Sequence, residues 1–435
     1  MTAKRRVEIP ESVELVRPLG PHERFFWTYD KVKLFNFSVV VSFTGTMETA
    51  QWKSALAQIQ KKHPLLNVSI NGDDPHAPTF MRAPGLPIPF TVEPRTSSTQ
   101  WQRVVEREIS EPFAASTAPL LRADLLQDEK GCDLVLTAHH SISDGISMAA
   151  LFGDLLAALA GDTLPSLPVP PCAEDRMAQL KASGHFPAAP VAPQHEPETI
   201  PAADAAPARP ARSFAVGKHT GHPTIDALRF SPEQTTQFLR CSRQRQTTVG
   251  SVILAAMASA LRSLSTALEE ADIYLFIPVD ARAYLQNQAD LILAISSAGA
   301  VSHYPDPDLW ASARALRTQL APFQCFAEID ASYARVQAVM AMNLEPSVLV
   351  EAIAQRVGCD VLLSNLKNVE FPRVPAGLTI DAVWGPSVLM GIQGEQMIGA
   401  STFNGALHLL YTTHSPLPGL LETVRHLITS ACEDS

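Results

Sequence analysis

Two adjacent histidines, His139 and His140, stand at the end of an apolar run, and Asp144 and Gly145 follow shortly after them. The stretch reads "CDLVLTAHHSISDGIS". Imidazole titrates near neutral pH, so the pair suits either a metal site or a general base. A third interpretation is a structural one, in which two buried histidines are held by backbone hydrogen bonds at a strand end.

The spacing argues against a metal site. Adjacent side chains of an extended chain point to opposite faces, so His139 and His140 do not converge on one ion. A zinc site needs three or four convergent ligands, and only Asp144 is near in sequence. His219 and His222 in "KHTGHP" bring no cysteine or acidic partner. We therefore expect no metal in this protein.

The elements around the pair are those that hold functional residues rigidly. The apolar run before His139 predicts a strand, and "GISMAALFGDLLAALAG" predicts a mostly apolar helix that ends at Gly161. Asp144 lies where the chain turns into that helix, and aspartate is a good helix cap. Catalytic side chains are often placed at such junctions, which weakens the purely structural interpretation.

The prolines divide the chain. Eleven of the 35 fall between Pro165 and Pro210, where alanine is also frequent. This composition predicts an exposed linker over 176–212, with a short helix near 176–182. The flanking halves, 1–175 and 213–435, each mix strands with helices, including helices near 308–321 and 330–354. The pattern predicts a pair of α/β or α+β domains.

Composition limits the classes of partner. The 435 residues are 46% hydrophobic and carry a formal net charge of −10, which disfavours binding to a phosphate backbone. The chain shows no secretory signal and no apolar stretch long enough to span a bilayer. Its six scattered cysteines predict free thiols in a reducing compartment. We expect a cytoplasmic monomer that does not bind nucleic acid and does not span a membrane.

The pattern HHxxxDG resembles the signature of the condensation-domain superfamily, which includes chloramphenicol acetyltransferase-like enzymes. Four further segments resemble that family in the same order along the chain, and they read "LGPHERFFW", "KKHPLLNVSI", "IPVDARAYL" and "LLSNLKNVEF". The chain is most similar to the stand-alone polyketide-associated O-acyltransferases of the mycobacterial type. Two features differ from the family pattern: "SNLK" has lysine where glycine is usual, and "DAVWGPS" replaces the plant-type DFGWG motif.

The resemblance implies a fold and a reaction. The fold is two chloramphenicol acetyltransferase-like subdomains, each a mixed β-sheet with helices, that form a V-shaped pseudo-dimer with a tunnel between them. His140 would be the general base and His139 structural, and the backbone N–H of Gly145 would donate to the oxyanion. Asp144 would turn away from His140 and pair with Arg282. Ser364 and Asn365 would line or brace the tunnel, although a simple hydrogen-bonding pair at a strand end explains them equally well.

The implied reaction moves an acyl group from a thioester to a hydroxyl of a polyketide or other secondary metabolite. The donor would be acyl-CoA or an acyl group on the phosphopantetheine of an acyl carrier protein, and no tightly bound cofactor is implied. The acceptor would be a small-molecule alcohol, or an amine in a rival amide-forming condensation enzyme. A catalytically silent module that binds a carrier protein is a second alternative, which the intact His140 and Asp144 disfavour.

Overall fold

The computed structural model describes residues 14–83, 85–184, 220–285, 291–303 and 308–433. The strands are β1 (Glu14–Pro18), β2 (Asn36–Thr44), β3 (Val68–Asn71), β4 (Thr79–Arg82), β5 (Phe90–Pro94), β6 (Leu121–Gln127), β7 (Gly131–His139), β8 (Thr224–Arg229), β9 (Ile273–Asp280), β10 (Ile295–Ser302), β11 (Val361–Asn368), β12 (Thr379–Val388), β13 (Gln396–Phe403) and β14 (Ala406–Thr413). The helices are α1 (Pro21–Asp30), α2 (Thr49–Lys62), α3 (Gln100–Ser110), α4 (Gly145–Leu159), α5 (Ala173–Ser183), α6 (Pro232–Gln244), α7 (Val249–Leu264), α8 (Arg282–Leu285), α9 (Leu309–Leu320), α10 (Phe326–Ala341), α11 (Pro346–Arg356) and α12 (Leu420–Glu433).

The described chain forms two large mixed sheets. The first has the strand order β12-β2-β7-β6-β5, in which four strands come from the first half of the chain, and a separate small sheet has the order β1-β4-β3. In the second half the order is β10-β9-β11-β13-β14-β8. Parallel and antiparallel pairs occur in both large sheets. The predicted α/β class with two sheet-and-helix subdomains is thereby confirmed.

Strand β12 connects the two halves. It belongs to the second half by sequence, yet it pairs antiparallel with β2 at the edge of the first sheet, with Val383 opposite Val41 and Val388 opposite Phe37. No strand was predicted over 379–388, because the glycine and proline at 385 and 386 are residues that disfavour a strand interior. The register of this pairing shifts between Trp384 and Ser387, and Gly385 and Pro386 are the residues at the shift.

The predicted strand before the histidine pair is β7, which lies between β2 and β6 and is buried along its whole length. The predicted apolar helix after the pair is α4, and β6 pairs antiparallel with β7. A central strand hydrogen-bonded on both sides is a rigid support for the residues that follow it.

Two further predictions have clear outcomes. The single helix predicted near 330–354 was wrong, because α10 ends at Ala341 and α11 begins at Pro346, with Asn343 at φ 51° between them. A proline is tolerated at the start of a helix but breaks its interior. The short helix expected near 176–182 is α5, and the rest of the predicted linker, from 185 to 212, lies outside the described residues.

Candidate active site

His140 follows the end of β7 and lies in an aromatic cage. Its ring stacks on Phe26 with centroids 4.3 Å apart and planes 8° apart. The rings of Phe35 and Phe37 lie 5.4 and 4.7 Å from the same imidazole. Burial among these groups lowers the pKa of His140 to about 4, and the carboxylate of Asp144 opposes that shift only in part. At neutral pH the imidazole is therefore uncharged, which is the form a general base requires.

The two ring nitrogens of His140 differ in access. Nδ1 is fully buried, and it makes no well-formed hydrogen bond with any part of the chain that the structure describes. The residue as a whole is 8% exposed. The opposite nitrogen, Nε2, is thus the one left to face a substrate.

His139 points to the other face of the sheet, as the alternation of a strand dictates. Its Nδ1 accepts a hydrogen bond from the backbone N–H of Ser141 at 3.1 Å, so the proton of the neutral ring sits on Nε2. That nitrogen lies 3.5 Å from Asp30 Oδ2. The residue is 1% exposed, which gives it no route to a substrate.

Asp144 is engaged on both carboxylate oxygens. Oδ1 accepts from the backbone N–H of Ser147 at 3.0 Å and caps α4. Arg282 Nη2 donates to the same oxygen at 2.7 Å, and the backbone N–H of Ala294 donates to Oδ2 at 2.8 Å. The expected pairing of Asp144 with Arg282 is therefore present, and it fills the carboxylate with partners other than His140.

Arg282 has several partners of its own. Besides Asp144, its Nη2 donates to Ser147 Oγ at 2.7 Å, and its Nη1 lies 3.4 Å from Asp280 Oδ1. Ser147 Oγ in turn donates to the carbonyl of Ile292 at 2.7 Å. These bonds tie the first turn of α4 to residues 280–282 and 292–294, so the end of the motif is held from both halves of the chain.

Gly145 begins α4 in a tight space. A Cβ atom there would lie 2.9 Å from Leu366 Cδ2 and 3.2 Å from Pro386 Cγ. Asp144 caps the N–H of Ser147 and leaves that of Gly145 without a hydrogen bond among the described residues. A free N–H at a helix start is a suitable donor to a developing oxyanion.

Ser364 and Asn365 lie on β11. Ser364 is half-buried opposite Gly399, whereas Asn365 is exposed and its Oδ1 accepts from the backbone N–H of Lys367 at 2.7 Å. Lys367 has φ 63°, the left-handed conformation that glycine adopts most easily, which explains the glycine usual at this place in the family. The residue of this segment that packs against Gly145 is Leu366.

The aromatic cage was not predicted. Phe26 belongs to "LGPHERFFW", a segment that resembles the family but whose residues carry no predicted role. Phe35 comes just before β2, and Phe37 lies within that strand. Their alternation in "LFNF" puts both on one face, which is a signal that sequence reasoning could have used. Which ring they contact depends on the pairing of β2 with β7 and on the position of α1.

A cavity of about 580 Å³ lies on the other side of β2 from the cage. Its lining includes Asn36, which is paired with His139 in the ladder, together with His222, His414 and Glu395. Burial raises the pKa of Glu395 to about 7 although backbone N–H groups of the 390–392 loop oppose the shift.

The described residues hold no group of three or more His, Cys, Asp or Glu side chains that could bind a metal ion. All six cysteines are free, as predicted. Within the described ranges no single helix is long and apolar enough to cross a membrane, although the bent pair α6 and α7 passes by length and composition.

Two family models match the chain in succession and together cover most of it. A condensation-domain model matches residues 25–186, which include the histidine pair, Asp144 and Gly145. A model of the C-terminus of phthiocerol/phthiodiolone dimycocerosyl transferase matches residues 220–411. The chain belongs to the condensation-domain superfamily. The resemblance read from HHxxxDG and the four other segments is thereby confirmed.

Solved structures of the superfamily share the whole fold with this chain. Polyketide synthase associated protein 5 from Mycobacterium tuberculosis aligns with a TM-score of 0.61 at 18% identity and covers 97% of this chain and 99% of its own. The condensation domain of monacolin K polyketide synthase gives 0.66 at 13% identity, with 98% of each chain covered. A trichothecene 15-O-acetyltransferase from Fusarium sporotrichioides gives 0.63 at 13% identity, with 95% of each covered.

Curated relatives match over about a third of the chain. Bacitracin synthase 3 of Bacillus licheniformis is 28% identical over 145 residues, which are 31% of this chain and 2% of that protein. Gramicidin S synthase 2 of Brevibacillus brevis is 30% identical over 137 residues, 31% of this chain and 3% of that protein. The match thus spans only a few per cent of these relatives' length. The superfamily membership supports acyl transfer in secondary metabolism.

Proposed function

We propose that this condensation-domain protein transfers an acyl group from a thioester to a hydroxyl of a polyketide or related secondary metabolite. The donor would be acyl-CoA or an acyl group on an acyl carrier protein, and the enzyme would act as a monomer without metal or bound cofactor. The observation that carries the proposal is the state of His140. It is uncharged at neutral pH, held by Phe26, and placed five residues before the free N–H of Gly145.

Each residue has a definite task in the proposed step. Nε2 of His140 takes the proton of the acceptor hydroxyl as the hydroxyl oxygen attacks the thioester carbonyl. The N–H of Gly145 donates to the carbonyl oxygen as it becomes negative. When the C–S bond breaks, the imidazolium returns the proton to the leaving thiolate. Atoms balance without a covalent intermediate on the protein.

Asp144 and Arg282 would support this step indirectly, by positioning the oxyanion donor. Their pair fixes the first turn of α4, and so fixes the direction of the Gly145 N–H. His139 would hold the end of β7 through Ser141 and Asp30. Ser364 would stand close to the substrate path on β11, and Asn365 would brace the turn at Lys367.

An amide-forming condensation reaction is the second candidate, because the curated relatives include a bacitracin synthase and a gramicidin S synthase. The two candidates differ only in the acceptor. The test incubates the protein with acetyl-CoA, with longer acyl-CoA and with acylated carrier protein, each against matched alcohols and amines. Ester products that disappear in His140→Ala would support the first candidate, and amides alone would support the second. No product with any pair would favour a module that only binds carrier protein.

A further inference from the structure

The cavity of about 580 Å³ lies on the face of β2 that is turned away from His140. Asn36 belongs to its wall. The rings of Phe35 and Phe37 contact His140, and the alternation of an extended chain turns the amide between them to the opposite face. Pockets for small molecules have volumes of about 300–1,000 Å³, so the cavity is large enough to hold one. Strand β2 separates it from the atoms of the proposed reaction.

One side of the cavity is apolar and is here called the apolar wall. It consists of Ile109, near the end of α3, and of Leu389 and Ile392, which lie between β12 and β13. All three residues are buried. An alkyl chain placed against the apolar wall would be removed from water, which is favourable without any directional contact.

The cationic part of the lining is Lys33, which lies between α1 and β2. Its aliphatic stem passes over Gly391, where a Cβ atom would lie 2.8 Å from Lys33 Cδ. The residue is exposed, and its ammonium group makes no ion pair with a residue that the structure describes. A cation beside an apolar wall suits a ligand with an anionic head group and an apolar body.

The carboxyl group of Glu395 also lines the cavity, but it is engaged with the protein backbone. Its Oε2 accepts from the backbone N–H of Met390 at 3.0 Å, and its Oε1 accepts from that of Gly391 at 2.7 Å. Burial raises the pKa of Glu395 to about 7, although these N–H groups and Lys33 oppose the shift. Near neutral pH the group is partly protonated, so it repels an anion in the cavity less than a fully ionised carboxylate would.

The lining also indicates which anion fits. None of the described residues that line the cavity is an arginine, the side chain whose planar fork matches phosphate. One lysine ammonium balances the single charge of a carboxylate. The exposed ring of His222 borders the cavity as well and offers a further N–H donor.

We propose that this cavity binds a medium-chain carboxylate, with the head group at Lys33 and the alkyl chain against the apolar wall. The site is separate from His140 and Gly145, so binding here does not depend on the proposed reaction. The bound molecule would lie behind the part of β2 that carries Phe37 of the aromatic cage.

Calorimetric titration with octanoate and with octan-1-ol tests the proposal. At about pH 7.5 octanoate is ionised, so the two ligands share a chain length and differ in charge. We expect octanoate to bind about tenfold more tightly, the effect of one hydrogen bond to a charged group. Lys33→Met keeps an apolar stem without the charge and should abolish the preference, whereas Lys33→Arg should keep it. No octanoate binding, or equal affinity of the wild type for both ligands, would overturn the proposal.

Three further variants locate the bound carboxylate. Ser110→Trp puts a large ring at the exposed edge of the cavity and should weaken the binding of both ligands. Lys31→Met removes an equal charge two positions before Lys33, from a residue outside the lining, and should bind octanoate like the wild type. His140→Ala should also keep the octanoate affinity. Unchanged octanoate binding in folded Lys33→Met or Ser110→Trp, or its loss in folded His140→Ala, would place the carboxylate elsewhere and contradict the assignment.

Discussion

Arg282 Nη2 donates to Asp144 Oδ1 at 2.7 Å across 138 positions of sequence, and both side chains are almost fully buried. Asp144 caps the helix that begins at Gly145, and Arg282 follows strand β9 of the other half of the chain. The pair therefore fixes the direction of the proposed oxyanion donor by joining the two halves. A buried guanidinium–carboxylate pair sets geometry as well as charge.

The first prediction is that Asp144→Ala and Arg282→Ala are each strongly destabilising. Removal of one partner strands the other charge in a buried site, which costs about 3–5 kcal/mol. The double variant should be little worse than either single one, because neither charge is then left alone. Denaturant unfolding and turnover on all three variants measure the coupling, and single losses that simply add would show that the residues act independently.

The second prediction separates the two histidines. His140→Ala should lower turnover by about 10²–10⁴-fold, the contribution of a positioned general base, and should leave the fold intact. His139→Ala should instead lower stability, because it removes the acceptor of the Ser141 N–H at the end of β7. Comparable turnover losses in two well-folded variants would mean that the roles are assigned wrongly.

The third prediction concerns the pH dependence of turnover. The pKa of His140 is lowered to about 4 by burial, so the imidazole is the free base above that pH. The acid limb of kcat/KM should therefore lie well below about 6.5, the value of a histidine in water. Rates measured from about pH 4 to pH 8, with folding checked at each pH, test this across the range in which histidine titrates. An acid limb at the ordinary histidine value or above would argue against a buried His140 as the base.

The fourth prediction concerns His408, which is 1% exposed on β14. Its ring lies 4.8 Å from that of Trp384, and neither ring nitrogen has a hydrogen-bond partner within the described chain. Burial lowers the pKa of His408 to about 4, and Arg229 adds to the shift. The unfolded chain binds this proton near pH 6.5, so stability should fall as pH drops from about 6.5 towards 4.

Replacement of His408 by leucine removes both unpaired nitrogens. His408→Leu should be more stable than the wild type, and its advantage should grow by about 1–3 kcal/mol between about pH 7.5 and pH 5. Denaturant unfolding at the two pH values measures this, with His76→Leu at an exposed position as the control. An advantage that stays constant with pH would show that His408 keeps an ordinary pKa.

The parts of the site that sequence alone predicted are those governed by local rules. The apolar run before His139 predicts β7, and the aspartate before a second apolar run predicts the cap of α4. The Asp144–Arg282 pair came from family resemblance, since no local rule joins residues 138 positions apart.

The parts that were missed depend on tertiary structure. Gly385 and Pro386 interrupt the sequence pattern of strand β12, and its partner β2 lies far earlier in the chain, so no local pattern reveals the strand. The contact of Phe26 with His140 needs α1 to be placed on the end of β7. Pro346 indicates a helix break in the sequence itself, and the prediction of a single helix over 330–354 did not take it into account.

The last prediction concerns Gly145. In Gly145→Ala the new methyl group would lie 2.9 Å from Leu366 Cδ2 and 3.2 Å from Pro386 Cγ, so α4 or its neighbours must move. Overpacking of this kind costs about 1–3 kcal/mol. The N–H of residue 145 would move with the helix start. Complete loss of an oxyanion donor lowers turnover by roughly 10²–10³-fold, so a displaced donor should lower turnover by a smaller factor.

Gly153 offers a matched control in the same helix. A Cβ there would lie 3.8 Å from Phe371 Cδ1, an ordinary contact. Gly153→Ala should therefore leave turnover unchanged and raise stability by up to about 1 kcal/mol, since alanine favours helix more than glycine. The decisive quantity is kcat at saturating donor, compared between the two variants after thermal unfolding shows both to be folded. If Gly145→Ala keeps full kcat, the N–H at position 145 does not hold the oxyanion, and the close packing of Gly145 serves only to seat α4 against β11 and β12.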